Sequence, residues 1–300
     1  MSKRKEEDRE EPAENPKLKR SKSTKEPEKN PARVLTPQGL AWYHNSCAYD
    51  ATISIVHAIW SQNPQQWSQI FRNTNEELLG KLGQDFAKHG TGTQSLEAAR
   101  DSLRRQLAQI SAEQFKWGEL TSVHHVMQYL LTTAGTTIES YLECSQHHNA
   151  EHALQAVSNC YVVSAGTTSP VSISQWMADW KEPTQHQCTT CGRQMNMMFQ
   201  FHQPWHLIAF DFAWQRTEID PELLVHVNGD NVLYKLRGII YFGENHFTSR
   251  IISEMGQTWF HDGITTGQSV IYEGDVQDVR ALNMCQGKQA SMAVYTKANE

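Results

Sequence analysis

The order of helix-like and strand-like patterns along the chain limits the folds that it can adopt. Apolar residues at helical spacing predict helices from residue 47 onward and over 74–89, 95–110 and 120–132. From Ala134 onward the chain changes to short segments rich in β-branched and aromatic residues. These segments are TTIESYLEC, NCYVVSAG, MNMMFQF, HLIAFDF, NVLYKLRGIIYFG, HFTSRIISE and ASMAVYTK. Helices followed by antiparallel strands predict an α+β architecture.

Residues 1–33 differ in composition from the rest of the chain. They hold eleven basic and eight acidic residues and no Trp, Phe, Tyr, Ile or Cys. Such a segment cannot bury enough apolar surface to offset its conformational entropy, so we expect a disordered tail. Two basic clusters, at 3–5 and 17–22, resemble a bipartite nuclear localisation signal, and the alternative is a solvated tail of mixed charge. We expect a nuclear or cytoplasmic protein.

The remaining residues, 34–300, have a globular composition and form the predicted folded domain. They carry sixteen basic and twenty-five acidic residues, which argues against direct binding of nucleic acid over the surface of the fold. No apolar run is long enough to cross a membrane, and we expect a soluble monomer. Six cysteines in a chain of this length are better interpreted as thiol, metal or core positions than as a disulfide scaffold. Of these, Cys160 and Cys285 lie in apolar surroundings and are interpreted as core thiols.

A cysteine stands where a loop gives way to the first helix. The segment YHNSCAYD places Cys47 just before the apolar-periodic run ATISIVHAIW, which predicts a helix with one buried face. Asn45 or Ser46 can cap this helix. The positive end of the helix dipole favours an anionic sulfur and lowers the thiol pKa, and the alternative is a buried core thiol. The dipeptide Asn63-Pro64 then predicts a turn.

A second group of cysteines has the spacing of a metal site. Cys188 and Cys191 form a CxxC followed by glycine, a knuckle that turns two sulfurs toward one ion. A closed site needs four ligands, and Cys144 with His147 offers the same two-residue gap, with His148 as the alternative imidazole. We expect a structural zinc ion that joins two β-hairpins. The competing interpretations are a redox pair or an accidental CxxC.

One histidine and one acid stand out in the strand-rich half. His246 follows a long apolar strand and a Gly-Glu-Asn turn, and it opens the next strand. A further short strand ends at Asp262, and antiparallel pairing would bring Asp262 beside His246. A Cys/His enzyme needs such a pair, because the imidazole takes the thiol proton and the carboxylate orients the imidazole. The alternative is a solvent-facing hairpin with an incidental histidine. The rival imidazole, His261, is expected on the other side of its strand.

These motifs resemble the papain-fold ubiquitin-specific proteases. The order Cys, His, Asp, with a zinc ribbon between Cys and His, is similar to that family. NSCAYD resembles its cysteine box, while YKLRGIIYFGENHFTSR and TWFHDG resemble its histidine box. FHQPWHLIAFDF resembles the stretch that follows the family's zinc knuckle, and ASMAVYTK its closing strand. The resemblance spans residues 39–297 and is closest to divergent members found in fungi.

The resemblance implies a papain-like α+β fold with a helical half, an antiparallel β half and zinc-ribbon fingers at about 136–215. It implies that Cys47 is the nucleophile, His246 the base and Asp262 the orienting acid. The implied function is thiol-dependent cleavage of the (iso)peptide bond at the C-terminal glycine of ubiquitin, with ubiquitin and its conjugates as partners. The alternatives are a SUMO isopeptidase and a catalytically inactive ubiquitin-binding adaptor.

Three positions depart from the family pattern. Trp42 occupies the position, five residues before the cysteine, where the family has an oxyanion-stabilising Asn. Asn45, with the backbone amide of Cys47, is the expected substitute. Phe247 stands where the family has Tyr after the histidine. The residues after Cys47, Ala-Tyr-Asp, also resemble the SUMO-isopeptidase branch.

Overall fold

A computed structural model describes residues 35–151, 157–163, 172–178, 180–213, 215–227 and 229–298. The predicted tail with its basic clusters lies outside the described residues, so its disorder and its role in localisation stay predictions.

The first half of the described chain is helical. Its elements are α1 (Cys47–Gln62), α2 (Pro64–Thr74), a π-helical turn (Glu76–Gly80), α3 (Lys81–Gly90), α4 (Leu96–Ile110) and α5 (Val123–Leu130); a short α6 (Ile173–Ala178) follows later. Among these helices none has the length and apolar character required to cross a membrane.

The predicted turn at Asn63-Pro64 is instead the beginning of a helix. Only Asn63 separates α1 from α2, and its side chain accepts a hydrogen bond of 3.2 Å from the Gln66 amide. Pro64 occupies the first helical position, where its missing N–H costs nothing because first-turn amides have no acceptor within the helix. Asn63-Pro64 is therefore the N-terminus of a helix and not a turn. A capping Asn followed by Pro is itself a sequence signal for a helix N-terminus.

The second half is built from strands. They are β1 (Ile138–Cys144), β2 (Asn149–Glu151), β3 (Cys160–Val162), β4 (Lys181–Gln187), β5 (Gln194–Phe201), β6 (Leu207–Asp211), β7 (Glu222–Val227), β8 (Asp230–Gly243), β9 (His246–Ile252), β10 (Gln257–His261), β11 (Ile271–Asp275), β12 (Met284–Cys285) and β13 (Lys288–Lys297).

Nine of these strands form one large sheet within the described residues. Its order is β11-β10-β9-β8-β13-β6-β3, with β7 also beside β8 and β12 also beside β13. The pairings are antiparallel except for the parallel pair of β3 and β6. Helices followed by a mainly antiparallel sheet confirm the predicted α+β class.

Helix α1 packs between the large sheet and the other helices. Every residue from Cys47 to Trp60 is buried, so the expectation of a single buried face is wrong. The close approach to the sheet occurs at Gly238 on β8, where a Cβ atom would lie 2.5 Å from Cδ1 of Ile55. A helix that is enclosed on all sides serves as a rigid support, and its N-terminus carries Cys47 beside the start of β9.

The remaining four strands form a separate antiparallel sheet in the order β2-β1-β5-β4. The β1–β2 turn carries Cys144 and His148, and the connection from β4 to β5 carries Cys188 and Cys191. Two hairpin ends therefore meet at the cysteines. No alternation of apolar and polar residues marks β4 in the sequence, because its residues KEPTQHQ are polar and almost entirely exposed.

Candidate active site

Cys47 is the first residue of α1, and its side chain is buried. Ser46 is the N-cap residue but makes no side-chain cap hydrogen bond. Its hydroxyl accepts the Tyr43 amide at 2.8 Å and donates to Asp50 Oδ2 at 2.5 Å. The expected cap by Asn45 or Ser46 is thus wrong, because the Ser46 oxygen accepts the Tyr43 amide and Nη1 of Arg100 instead of a first-turn amide. The first-turn amides of α1 are left without a side-chain cap beside the thiol.

The thiol of Cys47 is influenced by opposing effects. Burial raises its pKa above the ordinary value, and the nearby Asp50 carboxylate acts in the same direction. Hydrogen bonding from the backbone amides of Phe247, Ala48 and Cys47 itself acts against them. The result is a raised pKa, contrary to the lowering expected from the helix dipole alone, because desolvation of a buried thiolate exceeds the effect of the amides.

His246 and Asp262 form a hydrogen-bonded pair. The β8–β9 hairpin turns through Glu244 and Asn245, both with left-handed φ angles (55° and 56°), so that His246 opens β9. Its Nε2 lies 2.8 Å from Oδ1 of Asp262, which also accepts the Ile264 amide at 2.9 Å. Burial would raise the pKa of Asp262, but these hydrogen bonds outweigh it and lower the pKa below its ordinary value. The imidazole is therefore oriented by an ionised carboxylate and keeps Nδ1 for a second partner.

The residue after His246 lies beside the thiol. The Phe247 amide in β9 is near enough to the Cys47 sulfur to act against the rise of its pKa. Among the described residues no hydrogen bond joins the thiol directly to the His246 ring. Catalytic hydrogen bonds are often long in a free enzyme and shorten when substrate binds. The His246–Asp262 pair is thus formed, and the amide of Phe247 places the start of β9 near Cys47.

The rival imidazole, His261, lies on the face of β10 that packs against α1. It is buried, and its Nε2 accepts the Leu40 amide at 3.0 Å. Its Nδ1 lies 3.3 Å from the hydroxyl of Ser54 on α1. His261 is thus used to hold the segment before Cys47 and is not free to act as the base.

The loops that carry the predicted nucleophile and acid are tied to each other. The Trp42 amide donates to the Gly263 carbonyl at 2.9 Å, and the Gly39 amide donates to the Gln268 carbonyl at 3.0 Å. The Trp42 side chain is 40% exposed at this edge of the site. The residue that departs from the family pattern therefore has a backbone role next to Asp262.

An ion pair that the motif analysis missed lies beneath the site. Nη1 of Arg100, on α4, is 2.9 Å from Oδ1 of Asp50 and also donates to the Ala41 carbonyl at 2.7 Å. Both side chains are at most 2% exposed. Losing one partner of such a buried pair typically costs about 3–5 kcal/mol. A signal was present, since Arg100 and Arg104 share the face of α4 that carries buried leucines.

The cysteines of the small sheet form a cluster that could hold a metal ion. The ligand atoms of Cys144, His148, Cys188 and Cys191 lie within 4.8 Å of one another. The Sγ atoms of Cys144 and Cys191 are 3.7 Å apart, and Sγ of Cys188 is 3.5 Å from Nδ1 of His148. Tetrahedral bonds to zinc would place two sulfurs about 3.8 Å apart and a sulfur and a nitrogen about 3.5 Å apart. The donor set and the spacing fit zinc.

The first choice of imidazole, His147, is wrong, and the alternative, His148, is the residue in the cluster. His147 has a left-handed φ of 58° in the tight turn that follows Cys144. This backbone directs its ring outward, where Nδ1 lies 3.1 Å from Glu143 and the side chain is 86% exposed. The next residue then points inward. Sequence spacing could not separate two adjacent histidines.

Backbone N–H groups lie close to sulfur atoms of the cluster. Burial raises the pKa of the Cys188 thiol, but amides of Cys191 and Thr190 outweigh it and lower the pKa to about 6. The Gln146 amide likewise lies 3.4 Å from Sγ of Cys144. Thiolates are the form of cysteine that binds metal, so the turn favours the ligating state of Cys188. The Arg193 amide acts to lower the pKa of Cys191, but burial and the neighbouring thiols outweigh it and raise that pKa.

A pocket of about 380 Å³ adjoins the His246 hairpin. It lies between the β8–β9 turn and the segment joining α4 to α5, and Phe242 and Phe247 form its apolar wall. Asn245, Leu120 and His125 also line it. The pocket offers an apolar recess directly beside the predicted base.

No family model and no curated protein matches this chain. It is similar to a solved structure of the SAGA DUB module (Ubp8, Sgf11, Sus1 and Sgf73) bound to monoubiquitin, with a TM-score of 0.58 and 12% identity over 89% of this chain and 72% of the matched chain. A structure of the same module bound to ubiquitin aldehyde gives a TM-score of 0.59 and 12% identity over 87% and 70%. At this identity the similarity concerns the fold. The chain therefore has the fold of the ubiquitin-specific proteases, with its helical half, antiparallel sheet and fingers.

Proposed function

We propose that the chain is a cysteine isopeptidase that releases ubiquitin from its conjugates. The observation that carries the proposal is the His246–Asp262 hydrogen bond of 2.8 Å, in a hairpin whose Phe247 amide is near enough to the Cys47 sulfur to influence its pKa. The structures similar to this chain are bound to ubiquitin or ubiquitin aldehyde, which supports ubiquitin as the substrate. SUMO remains the alternative modifier, on the resemblance of the residues after Cys47.

The chemistry follows from the three side chains. His246 takes the proton of Cys47 while the sulfur attacks the carbonyl carbon of the C-terminal glycine of ubiquitin. The tetrahedral intermediate collapses, the C–N bond breaks, and His246 returns the proton to the leaving amine. Water, deprotonated by His246, then attacks the thioester and frees the ubiquitin carboxylate and the thiol. Asp262 keeps the imidazole oriented and stabilises its protonated form.

Asn45 and the backbone amide of Cys47 are the proposed donors to the oxyanion. Nδ2 of Asn45 uses one hydrogen on the Gly118 carbonyl at 2.7 Å, which fixes the side chain. An amide nitrogen carries two hydrogens, so one remains for the substrate. Removing a donor of this kind typically lowers the rate by about 10²–10³. Asn45→Ala should therefore lower turnover and leave ubiquitin binding unchanged.

The ubiquitin C-terminal tail is proposed to run along the edge of the site. Trp42 is 40% exposed there, and Phe247 lines the pocket beside the hairpin. An extended peptide between the helical half and the sheet would pass both side chains and present its last carbonyl to Cys47. The pocket offers apolar contact, which fits a flexible chain end.

Zinc is the proposed occupant of the Cys144, His148, Cys188 and Cys191 cluster. A closed four-ligand site leaves no coordination position for substrate, so the ion would join the two hairpin ends and supply no catalytic chemistry. With the ion bound, these residues would fix the shape of the four-stranded sheet β2-β1-β5-β4. This sheet is the proposed surface for the body of ubiquitin.

A catalytically inactive ubiquitin-binding adaptor is the second candidate. The raised pKa of Cys47 and the Trp42 substitution favour it. The rate of hydrolysis of ubiquitin that carries a fluorogenic amide at its C-terminus distinguishes the isopeptidase from the inactive adaptor. Turnover that is lost in Cys47→Ala and kept in Cys160→Ala, a matched variant at another buried cysteine, supports the enzyme. Binding of ubiquitin without turnover supports the adaptor.

A further inference from the structure

Arg104 makes contacts that no motif assigns to it. It lies on α4, and its side chain is 2% exposed. Nη1 donates to the Tyr43 carbonyl at 3.2 Å, and Nη2 donates to the His44 carbonyl at 2.8 Å. A guanidinium with both terminal nitrogens on successive carbonyls fixes the orientation of two peptide planes at once. These planes belong to the loop that leads into Cys47.

The loop needs such support because its backbone is unusual. His44 and Asn45 have φ angles of 48° and 57°, in the left-handed region that is uncommon for residues with a Cβ, although histidine and asparagine adopt it more often than most. Two successive residues of this kind revert to ordinary conformations unless the surroundings hold them. The carbonyl of the first is held by Arg104. The second is the proposed oxyanion donor, two residues before the nucleophile.

Arg104 also contacts the segment on the other side of Asn45. Its guanidinium lies 4.2 Å from the centre of the Trp117 ring and 5.1 Å from that of Tyr49. The next residue, Gly118, has a left-handed φ of 79° and accepts the Asn45 side chain. One side chain thus bridges both segments that orient Asn45, and Tyr49 belongs to the first turn of the helix of Cys47.

We propose that Arg104 is a positioning residue for the nucleophile, holding the His44–Asn45 turn from one side and the Trp117–Gly118 segment from the other so that Asn45 and Cys47 stand in reactive geometry. The inference rests on the proposed function, because a nucleophile is positioned only in an enzyme. The effect of Arg104 on the reactivity of the Cys47 thiol can be measured without ubiquitin. Arg100 anchors the same loop through Ala41, but it also neutralises buried Asp50, so Arg104 is the cleaner position to change.

The test is alkylation of Cys47 by iodoacetamide across pH 7 to 11 in the full chain, followed by peptide mass spectrometry to separate Cys47 from the other five cysteines. In Arg104→Gln the turn relaxes and the first-turn amides leave the sulfur. We expect the midpoint of the profile to rise by about one unit and the rate below it to fall about tenfold. Arg105→Gln, at the exposed neighbouring arginine, is the matched control and should follow the wild-type profile.

Arg104→Lys keeps the charge but loses the guanidinium group that binds two carbonyls at once. Its alkylation profile should therefore lie between those of the wild type and Arg104→Gln. If Arg104→Gln does not fold, Arg104→Lys decides, and a wild-type profile in Arg104→Lys then overturns the inference. A folded Arg104→Gln with wild-type rate and midpoint overturns it directly. With the ubiquitin amide, kcat should fall in Arg104→Gln while KM stays constant; an equal rise in KM would indicate a binding or structural role. Absence of turnover in the wild type would contradict the proposed function and leave the alkylation result intact.

Discussion

The packing of α1 on the large sheet can be tested by adding one carbon atom at Gly238. A Cβ there would lie 2.5, 2.6 and 2.7 Å from three side-chain carbons of Ile55, about 1 Å closer than carbon atoms normally approach. Ile55 cannot swing aside, because isoleucine in a helix has one strongly preferred χ1 rotamer. We therefore expect Gly238→Ala to lower the free energy of unfolding by about 2–3 kcal/mol, at the upper end of the range for overpacked cores.

The matched experiment removes the obstacle. Ile55→Ala deletes all three clashing carbons and by itself costs about 2–5 kcal/mol. In that background the new methyl group fills space, so Gly238→Ala should be neutral or stabilising, with a coupling of about 2 kcal/mol or more. Urea denaturation followed by tryptophan fluorescence measures all four variants. Gly90→Ala, where an added Cβ meets no atom within 4 Å, should stay within about 0.5 kcal/mol of the wild type. Equal costs of Gly238→Ala in both backgrounds would refute the described contact between α1 and β8.

Three further predictions concern charge and metal. Asp262→Asn should lower turnover of the ubiquitin amide by roughly 10²–10⁴, since the imidazole loses its orienting carboxylate, and a wild-type rate would exclude that role. Metal analysis should find about one zinc per chain, lost in Cys188→Ser and retained in Cys285→Ser; equal zinc in both variants would contradict the cluster. Burial lowers the pKa of His57 from 6.5 to about 4, and the nearby His89 contributes a smaller part of this decrease. His57 then binds fewer protons in the folded protein than in the unfolded chain, so its contribution to stability is complete above pH 6.5 and falls by up to about 3 kcal/mol toward pH 4. His57→Phe should flatten this dependence and exposed His226→Phe should not; an unchanged slope in His57→Phe would refute the assignment.

The parts of the structure that sequence could predict are those set by local periodicity. The β8–β9 hairpin follows from two strand patterns around a short polar turn, and it places His246 at the start of β9. Strand alternation also predicts opposite directions for the side chains of His261 and Asp262. Burial of α1 on every side was not predictable in this way, because periodicity records one apolar stripe and not the number of elements that pack around a helix.

The parts that could not be predicted depend on side chains distant in sequence. Ser46 looks like a helix cap, but its oxygen accepts hydrogen bonds from the Tyr43 amide and from Arg100. Arg100 and Arg104 reach loop carbonyls about sixty residues earlier, and no spacing rule encodes that contact. The choice of His148 over its neighbour followed from one left-handed residue in a turn.

The central claim is that Cys47 attacks the C-terminal carbonyl of ubiquitin. The direct measurement is intact mass spectrometry of the purified chain after incubation with ubiquitin carrying a C-terminal electrophile, beside Cys47→Ala and a SUMO probe of the same chemistry. The account predicts one ubiquitin adduct on the wild type, mapped to Cys47, with none on Cys47→Ala and less with SUMO. An adduct that persists in Cys47→Ala, or ubiquitin binding with no adduct on the wild type, would contradict it.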